Sequence, residues 1–255
     1  MQTGKENPEE PKLIQLAHGL WVRQEIDNLL WADLGGAGLA VDALEHADKA
    51  DDVFAAIEQT IDVGIDYLVH THLHYDHVAL DAAFARRYHS EMIDTQGRAA
   101  QQGPGRVIKG SRRTVSVIPM GGLHTSEDCV VWIEPDAVLC TGDLFGWGVL
   151  PLTRRLTDET CDQLVAALVR MIDMQPRVVV PGHGPLATAQ TLERQVAYFN
   201  WLRDQTRQLV AAGASDDEIA GQLAIPADMT DWWRLAKWKH ADSVAKFTRY
   251  ARRDS

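Results

Sequence analysis

The segment His70-Thr71-His72-Leu73-His74-Tyr75-Asp76-His77 places four histidines and an aspartate within eight residues. Imidazole is the commonest metal-binding side chain, and Zn²⁺ or iron accepts several N and O donors. In the HxHxDH spacing, His72 and His74 reach one metal while Asp76 and His77 point at a neighbouring position. No strand or helix needs such a group for its own sake, because each member is costly to bury without a partner. A two-metal centre requires further donors from elsewhere. The chain offers them at the ends of apolar runs: His124 in GGLHT after VSVIP, Asp143 in TGD after AVLC, and His183 in PGHGP after VVV. Taken singly, TGD is a turn and PGHGP a loop. In order, behind HxHxDH, they describe a metal centre.

Donors from distant segments need a rigid scaffold, and loops at strand ends are where one presents them. β-Type runs occur at 19–24, 29–34 and 39–44, with Gly35, Gly36 and Gly38 marking a hairpin between the last two. Apolar spacing at Val53, Ala56, Ile57 and Ile61 predicts a helix over 48–62. A buried strand at 66–69 runs into the histidine cluster, and a helix is expected over 79–88. Strands follow near 91–94, 114–118, 129–134 and 137–141, then a helix at 158–174 and a strand at 177–180. From about residue 187 helical periodicity takes over (187–212, 216–223, 228–251), with Trp232, Trp233 and Trp238 in the last part. Strands mixed with helices in hairpin order predict a layered α/β fold. The expected organisation is a loose tail at 1–12, the main domain at 13–186 and a helical cap packed on it at 187–255.

The net charge of −11 disfavours nucleic acid as a partner, since an acidic chain repels phosphate backbones. No stretch of 18 apolar residues predicts a membrane span. Three cysteines, Cys129, Cys140 and Cys161, an odd number without CxxC spacing, suggest reduced thiols and a cytoplasmic setting. A small-molecule substrate is the expected partner, and the many tryptophans permit a homodimer.

HTHLHYDH, GGLHT, TGDLF and PGHGP together resemble the metallo-β-lactamase fold superfamily over about residues 13–186. The resemblance implies a four-layer αββα sandwich with the metal site at one edge. It assigns His72, His74 and His124 to a first metal, Asp76, His77 and His183 to a second, and Asp143 as the bridge. With all seven positions filled, the set is similar to the glyoxalase II, lactonase and phosphodiesterase branches. Zinc β-lactamases typically lack the bridging aspartate, and flavodiiron proteins carry a glutamate where His74 stands. Two departures lie beside the expected pocket: Val78-Ala79-Leu80 follows HxHxDH where small residues are common, and His124 sits in GLHTSED rather than GHTxG.

The implied cofactors are two divalent ions, foremost Zn²⁺, with Fe or Mn as alternatives. The implied reaction is attack by a bridging hydroxide on an ester, thioester or lactone carbonyl, with Asp76 handling a proton. A mononuclear iron persulfide dioxygenase using His72, His124 and Asp143, or a phosphodiesterase, are the competing activities. Asp42, closing the run LAVD, is expected either to orient a ligand or to cap its turn. Tyr75, Trp147 and Arg154 are substrate-side candidates: oxyanion support, an apolar wall shared with the C-terminal tryptophans, and a carboxylate contact. Each also has a bland reading, in packing or in solvation. The basic run 106–113 either steers an anion or solvates a loop, and His240 is read as a satisfied helical histidine.

Overall fold

A computed structural model of the chain describes residues 10–93, 105–151 and 156–253. It contains two facing sheets. The first has the strand order β1 (Lys12–Ala17), β2 (Leu20–Gln24), β3 (Asn28–Asp33), β4 (Gly38–Val41), β5 (Ile65–Val69), β6 (Glu91–Ile93). Its first four strands form an antiparallel meander, and β5 and β6 add in parallel. The second runs β11 (Val178–Pro181), β10 (Val138–Gly142), β9 (Cys129–Glu134), β8 (Thr114–Pro119), β7 (Val107–Lys109). Only β10 and β11 are parallel in it.

Period-two alternation turns one side chain set of each sheet inward. Leu20, Val22, Leu30 and Val41 meet Val115, Val117, Val131 and Ile133 between the sheets. The outer face of the first sheet is covered by α1 (Ala50–Thr60) and α2 (Asp81–Tyr88), through Val53, Ile57 and Phe84 against Trp31, Ala40 and Leu68. With helices on this face, every residue of β3 is buried. The outer face of the second sheet is covered by α3 (Asp158–Asp173), α4 (Ala189–Ala211) and α6 (His240–Ala251), where Val130, Leu139 and Val179 share one apolar cluster with Leu164, Leu192, Tyr198 and Phe247. The layers are therefore α/β/β/α, and the C-terminal helices share the apolar layer on the second sheet.

Three helices start at sites legible as caps. Thr157, Thr188 and Ser215 each accept a backbone N–H from three residues on, in capping boxes that open α3, α4 and α5 (Asp216–Gln222). Elsewhere the structure departs from expectation. β1 was not anticipated: it is a largely exposed edge strand, so its pattern carries little of the usual alternation. β7 sits inside the basic run. The helix expected over 228–251 is broken: Arg234 adopts φ +55°, Leu235–Lys239 forms a π-type turn, and only then does α6 begin. Of the tail expected at 1–12, residues 1–9 lie outside the described residues, and Lys12 already belongs to β1.

Candidate metal centre

The histidine-rich segment begins as β5 ends, and the other donors stand where other strands end: Asp42 just past β4, His124 beyond β8, Asp143 directly after β10, His183 after β11. Strands whose ends share one edge of the sandwich thus deliver them to a common point. The seven expected residues fall into two groups, His72, His74, His124 and Asp143 in one and Asp76, His77 and His183 in the other. In the first, His72 Nε2 lies 3.1 Å and His124 Nε2 3.0 Å from His74 Nδ1. In the second, His183 Nε2 lies 3.2 Å from Asp76 Oδ2.

Asp143 stands between the groups and divides its oxygens. Oδ2 faces His124 Nε2 at 3.4 Å and His72 Nε2 at 4.0 Å. Oδ1 faces His183 Nε2 at 3.3 Å and His77 Nε2 at 3.5 Å. Glycines make this possible: a Cβ on Gly182 would sit 2.2 Å from Asp143 Oδ1, and one on Gly142 2.4 Å from Thr71 Oγ1.

On four of the five rings the remaining nitrogen is occupied, and this sets which nitrogen points inward. His77 Nδ1 donates to Asp42 Oδ2 at 3.1 Å, His124 Nδ1 to Pro151 O at 2.8 Å, and His183 Nδ1 to Ile26 O at 3.2 Å. His72 Nδ1 is 3.2 Å from Thr71 Oγ1, whose own proton goes to Asp42. Each of these rings, when neutral, therefore turns an Nε2 lone pair inward. Asp42 adopts φ +63°, is buried, and also accepts the Thr71 backbone N–H at 2.8 Å. Of its two expected roles, orientation of ligands is the one its contacts display.

These donors fit a metal. His77 Nε2 and Asp143 Oδ1 are buried with no hydrogen-bond partner, which is costly unless something electropositive meets them. His74 Nδ1 has at most one proton, so only one of its two short contacts can be a hydrogen bond. Spacings near 3 Å suit nitrogen ligands on one tetrahedral ion, with bonds of about 2.0–2.1 Å. The electrostatics set the carboxylates and His72 in ligating form, while His77 and His183 hold protons that a metal would displace: against burial, Asp42 and Asp143 push His77 well above its ordinary value, and Asp143 and Asp76 push His183 up to about 9. Burial opposes ionisation of Asp143, yet His183 and His77 hold its carboxyl well below the usual range. Burial likewise opposes the Asp76 carboxylate, but the His183 hydrogen bond and the charge of His77 bring it down to about 2. Burial, with repulsion from His77, drives His72 down to about 3, which keeps it a neutral ligand.

No family model and no curated relative matches the sequence. Solved structures do. A metallo-β-lactamase from Pontibacter korlensis superposes with a TM-score of 0.61 at 16% identity, covering 74% of this chain and 98% of that one. VMB-1 gives 0.59 at 18% identity, with 75% and 97% covered. The rubredoxin oxygen:oxidoreductase of Desulfovibrio gigas gives 0.56 at 18% identity, with 76% and 62% covered. The fold is that of the metallo-β-lactamases.

Over the edge of this metallo-β-lactamase sandwich opens a cavity of about 740 Å³. Asp76, His124, Asp143 and His183 form its floor, and Trp233, Trp238 and Lys239 belong to the wall supplied by the broken C-terminal segment. Of the tryptophans expected to wall the pocket, Trp233 and Trp238 of the C-terminal segment line it and Trp147 does not. Trp147 is instead packed edge-on to Trp232 at 5.5 Å and donates Nε1–H to Pro185 O, tying the Asp143 loop to the His183 turn. Tyr75 is 72% exposed and does not line the cavity. Arg154 lies outside the described residues. The three arginines of the basic run are committed elsewhere: Arg106 pairs with Glu91, Arg112 with Asp33, and Arg113 is buried against Asp136 and the carbonyls of His18 and Asp33. His240 is satisfied, between Tyr198 Oη and Leu223 O at 2.7 Å each.

Sequence reasoning missed three supports. Asp128 Oδ2 accepts the N–H groups of Leu123 and His124, and its Oδ1 the N–H and hydroxyl of Thr125, so the departure GLHTSED contains its own brace. Asn28 Nδ2 donates to Pro181 O and Gly184 O, fixing the His183 turn from the first sheet. Gly184, at φ +82°, leaves room for Trp233, whose ring a Cβ there would meet at 2.5 Å. The short polar spacing from His124 to Asp128 was a usable signal; the other two are long-range and had none.

Proposed function

We propose that the chain is a dinuclear metal-dependent hydrolase acting on an ester, thioester or lactone, in the manner of the glyoxalase II and lactonase branches. The observation that carries this reading is Asp143, whose two oxygens each face a separate, complete set of donors. Histidine and carboxylate donors suit Zn²⁺ best, with Fe or Mn tolerated by the same set. Two bound cations would supply Lewis acidity and would lower the pKa of a water between them towards neutrality.

The chain's own residues do the rest. His72, His74 and His124 would hold one ion, Asp76, His77 and His183 the other, and Asp143 both. Asp42 positions His77 directly and His72 through Thr71. Asp76 directs Oδ2 at His183, which leaves Oδ1 to take up or release a proton above the floor. The cavity's volume suits a small molecule. Three free, buried cysteines support a reducing, cytoplasmic setting. Among the described residues no helix is long and apolar enough to cross a membrane.

The test is a panel of lactones, thioesters and aryl esters, with chelation and readdition of Zn²⁺. Activity should vanish with the chelator, return with zinc, and be absent from the His72→Ala, Asp143→Ala double variant. Hydrolysis indifferent to both manipulations would sink the reading. The second reading, an iron-dependent oxidoreductase, draws on the likeness to the rubredoxin oxygen:oxidoreductase. Oxygen uptake on a persulfide in place of hydrolysis would favour it. A phosphodiesterase ranks below both, because the arginines of the basic run are engaged in structural ion pairs.

A further inference from the structure

The cavity has two chemically different sides. The floor carries the candidate metal ligands. The wall from the C-terminal segment carries Arg234, Lys239 and Lys246, with Asp242 beside Lys246, interleaved with Trp233 and Trp238. This wall is locally irregular, with Arg234 in the left-handed region and Lys239 closing a π-type turn. Sparsely populated backbone of this kind collects at binding sites.

Lys239 is the informative residue. It is 2% exposed, yet among the described residues its ammonium donates only to Gly146 O, at 2.7 Å. It lies 4.2 Å from the centre of the Trp233 ring and 5.8 Å from that of Trp238. No carboxylate pairs with it among the described residues. The Arg234 guanidinium rests on the same indole, 4.6 Å from its centre, so two like charges share one ring. A buried ammonium without a counter-ion is expensive, and packing alone would be served by an apolar side chain of that length. Its burial, reinforced by repulsion from Arg234 and only partly opposed by the Asp143 carboxylate, brings its pKa down to about 7. Lys246 stands nearby with its charge shared between Asp242 at 2.8 Å and Leu150 O at 3.2 Å. The Lys239 ammonium has three donors, and among the described residues one of them is used.

We propose that Lys239, aided by Arg234 and Lys246, binds an anionic group of the substrate, a carboxylate or a phosphate, on the side of the cavity facing the metal ligands. Trp233 and Trp238 would flank the carbon chain that joins this group to the reacting carbonyl. The substrate class is therefore an ester, thioester or lactone with a remote negative charge. The hydrolase reading supplies the reacting end, but the anion site itself does not depend on turnover.

Titration calorimetry on the full-length protein as purified tests this without catalysis. The probes are butyrate, the dicarboxylates succinate, glutarate and adipate, and the matching ω-phosphono acids. At least one two-headed probe should bind about tenfold more tightly than butyrate, the effect of one charge-assisted contact. Whether the dicarboxylate or the phosphono acid gains more identifies the anion. Lys239→Met should erase the difference while the metal content stays that of the wild type. Should that variant fail to fold, Arg234→Gln and Lys246→Gln serve, each expected to lower the preference several-fold. Equal binding of butyrate and all two-headed probes, or an undiminished preference in folded variants, would overturn the proposal. A Lys239-dependent preference in a protein that hydrolyses none of the panel would sink the hydrolase reading and leave this site standing.

Discussion

On the sandwich side of the cavity, four of the inward-facing imidazoles have a second contact that fixes the ring: His72 on Thr71, His77 on Asp42, His124 on Pro151 and His183 on Ile26. On the helical side, Lys239 has one carbonyl and an indole, and Arg234 sits in strained backbone. The first side is organised before anything binds, as chemistry at fixed atoms requires. The second side holds the Lys239 ammonium buried on one carbonyl, with no carboxylate paired to it among the described residues. The contrast suggests a division of labour: the sheet edge sets the reaction, and the C-terminal segment sets what is admitted.

The largest effect should come from breaking the organised side at its centre. Asp143→Ala removes a donor from both groups at once. Metal content should fall for both, and activity by more than the 10–100-fold typical of an outer partner. Elemental analysis and steady-state rates check this, and retention of both metals would refute the bridging role. Next comes the support behind the ligands. Asp42→Ala leaves His77 Nδ1 and the Thr71 N–H buried without their acceptor. Metal affinity or activity should drop roughly 10–100-fold, with about 1–3 kcal/mol of stability lost. Competition with a zinc chelator and chemical denaturation read the two parts.

The contact between the two sides is open to a smaller perturbation. Gly184→Ala forces a Cβ into the Trp233 ring and imposes φ +82° on alanine. About 1–3 kcal/mol of destabilisation is expected, with a greater loss of selectivity among substrates than of bound metal. Thermal melts, together with a comparison of charged and neutral substrates, decide it.

The smallest effect concerns pH and stability. Burial lowers Lys239 from 10.5 to about 7, so native and unfolded chains both carry its proton below pH 7 and the burial penalty is then complete. Between about pH 7 and 10 the native state releases that proton while the unfolded chain keeps it, so this residue's contribution to stability rises with pH. Arg234 repels the charge in the same direction, and Asp143 opposes it. Relative to wild type, Lys239→Met should gain stability at pH 6 and lose that advantage by pH 10. An advantage that is constant across the range would show that Lys239 does not titrate there.

The two sides also differ in how far the sequence reveals them. All seven candidate ligands could be read in advance, because each is a polar residue at the end of an apolar run and four of them share one short motif. The layered fold followed from strand and helix periodicities. Asp128 was within reach, four residues from His124. Asn28, Gly184 and Lys239 were not, since their partners lie more than 40 residues away. The break at Arg234 was hidden for another reason. The apolar spacing from 228 onward suits a regular helix, and tertiary packing of Trp232 on Trp147 and of Trp233 against Gly184 overrides it. β1 escaped notice because an exposed edge strand has little alternation to read.

The central claim is that Asp143 joins two metal positions. The most direct test is the metal content of freshly purified protein, by elemental analysis per chain, for the wild type and for His183→Ala. The account requires close to two divalent ions per wild-type chain, mainly zinc, and close to one in the variant. A single iron per chain, unchanged by the loss of His183, would contradict it.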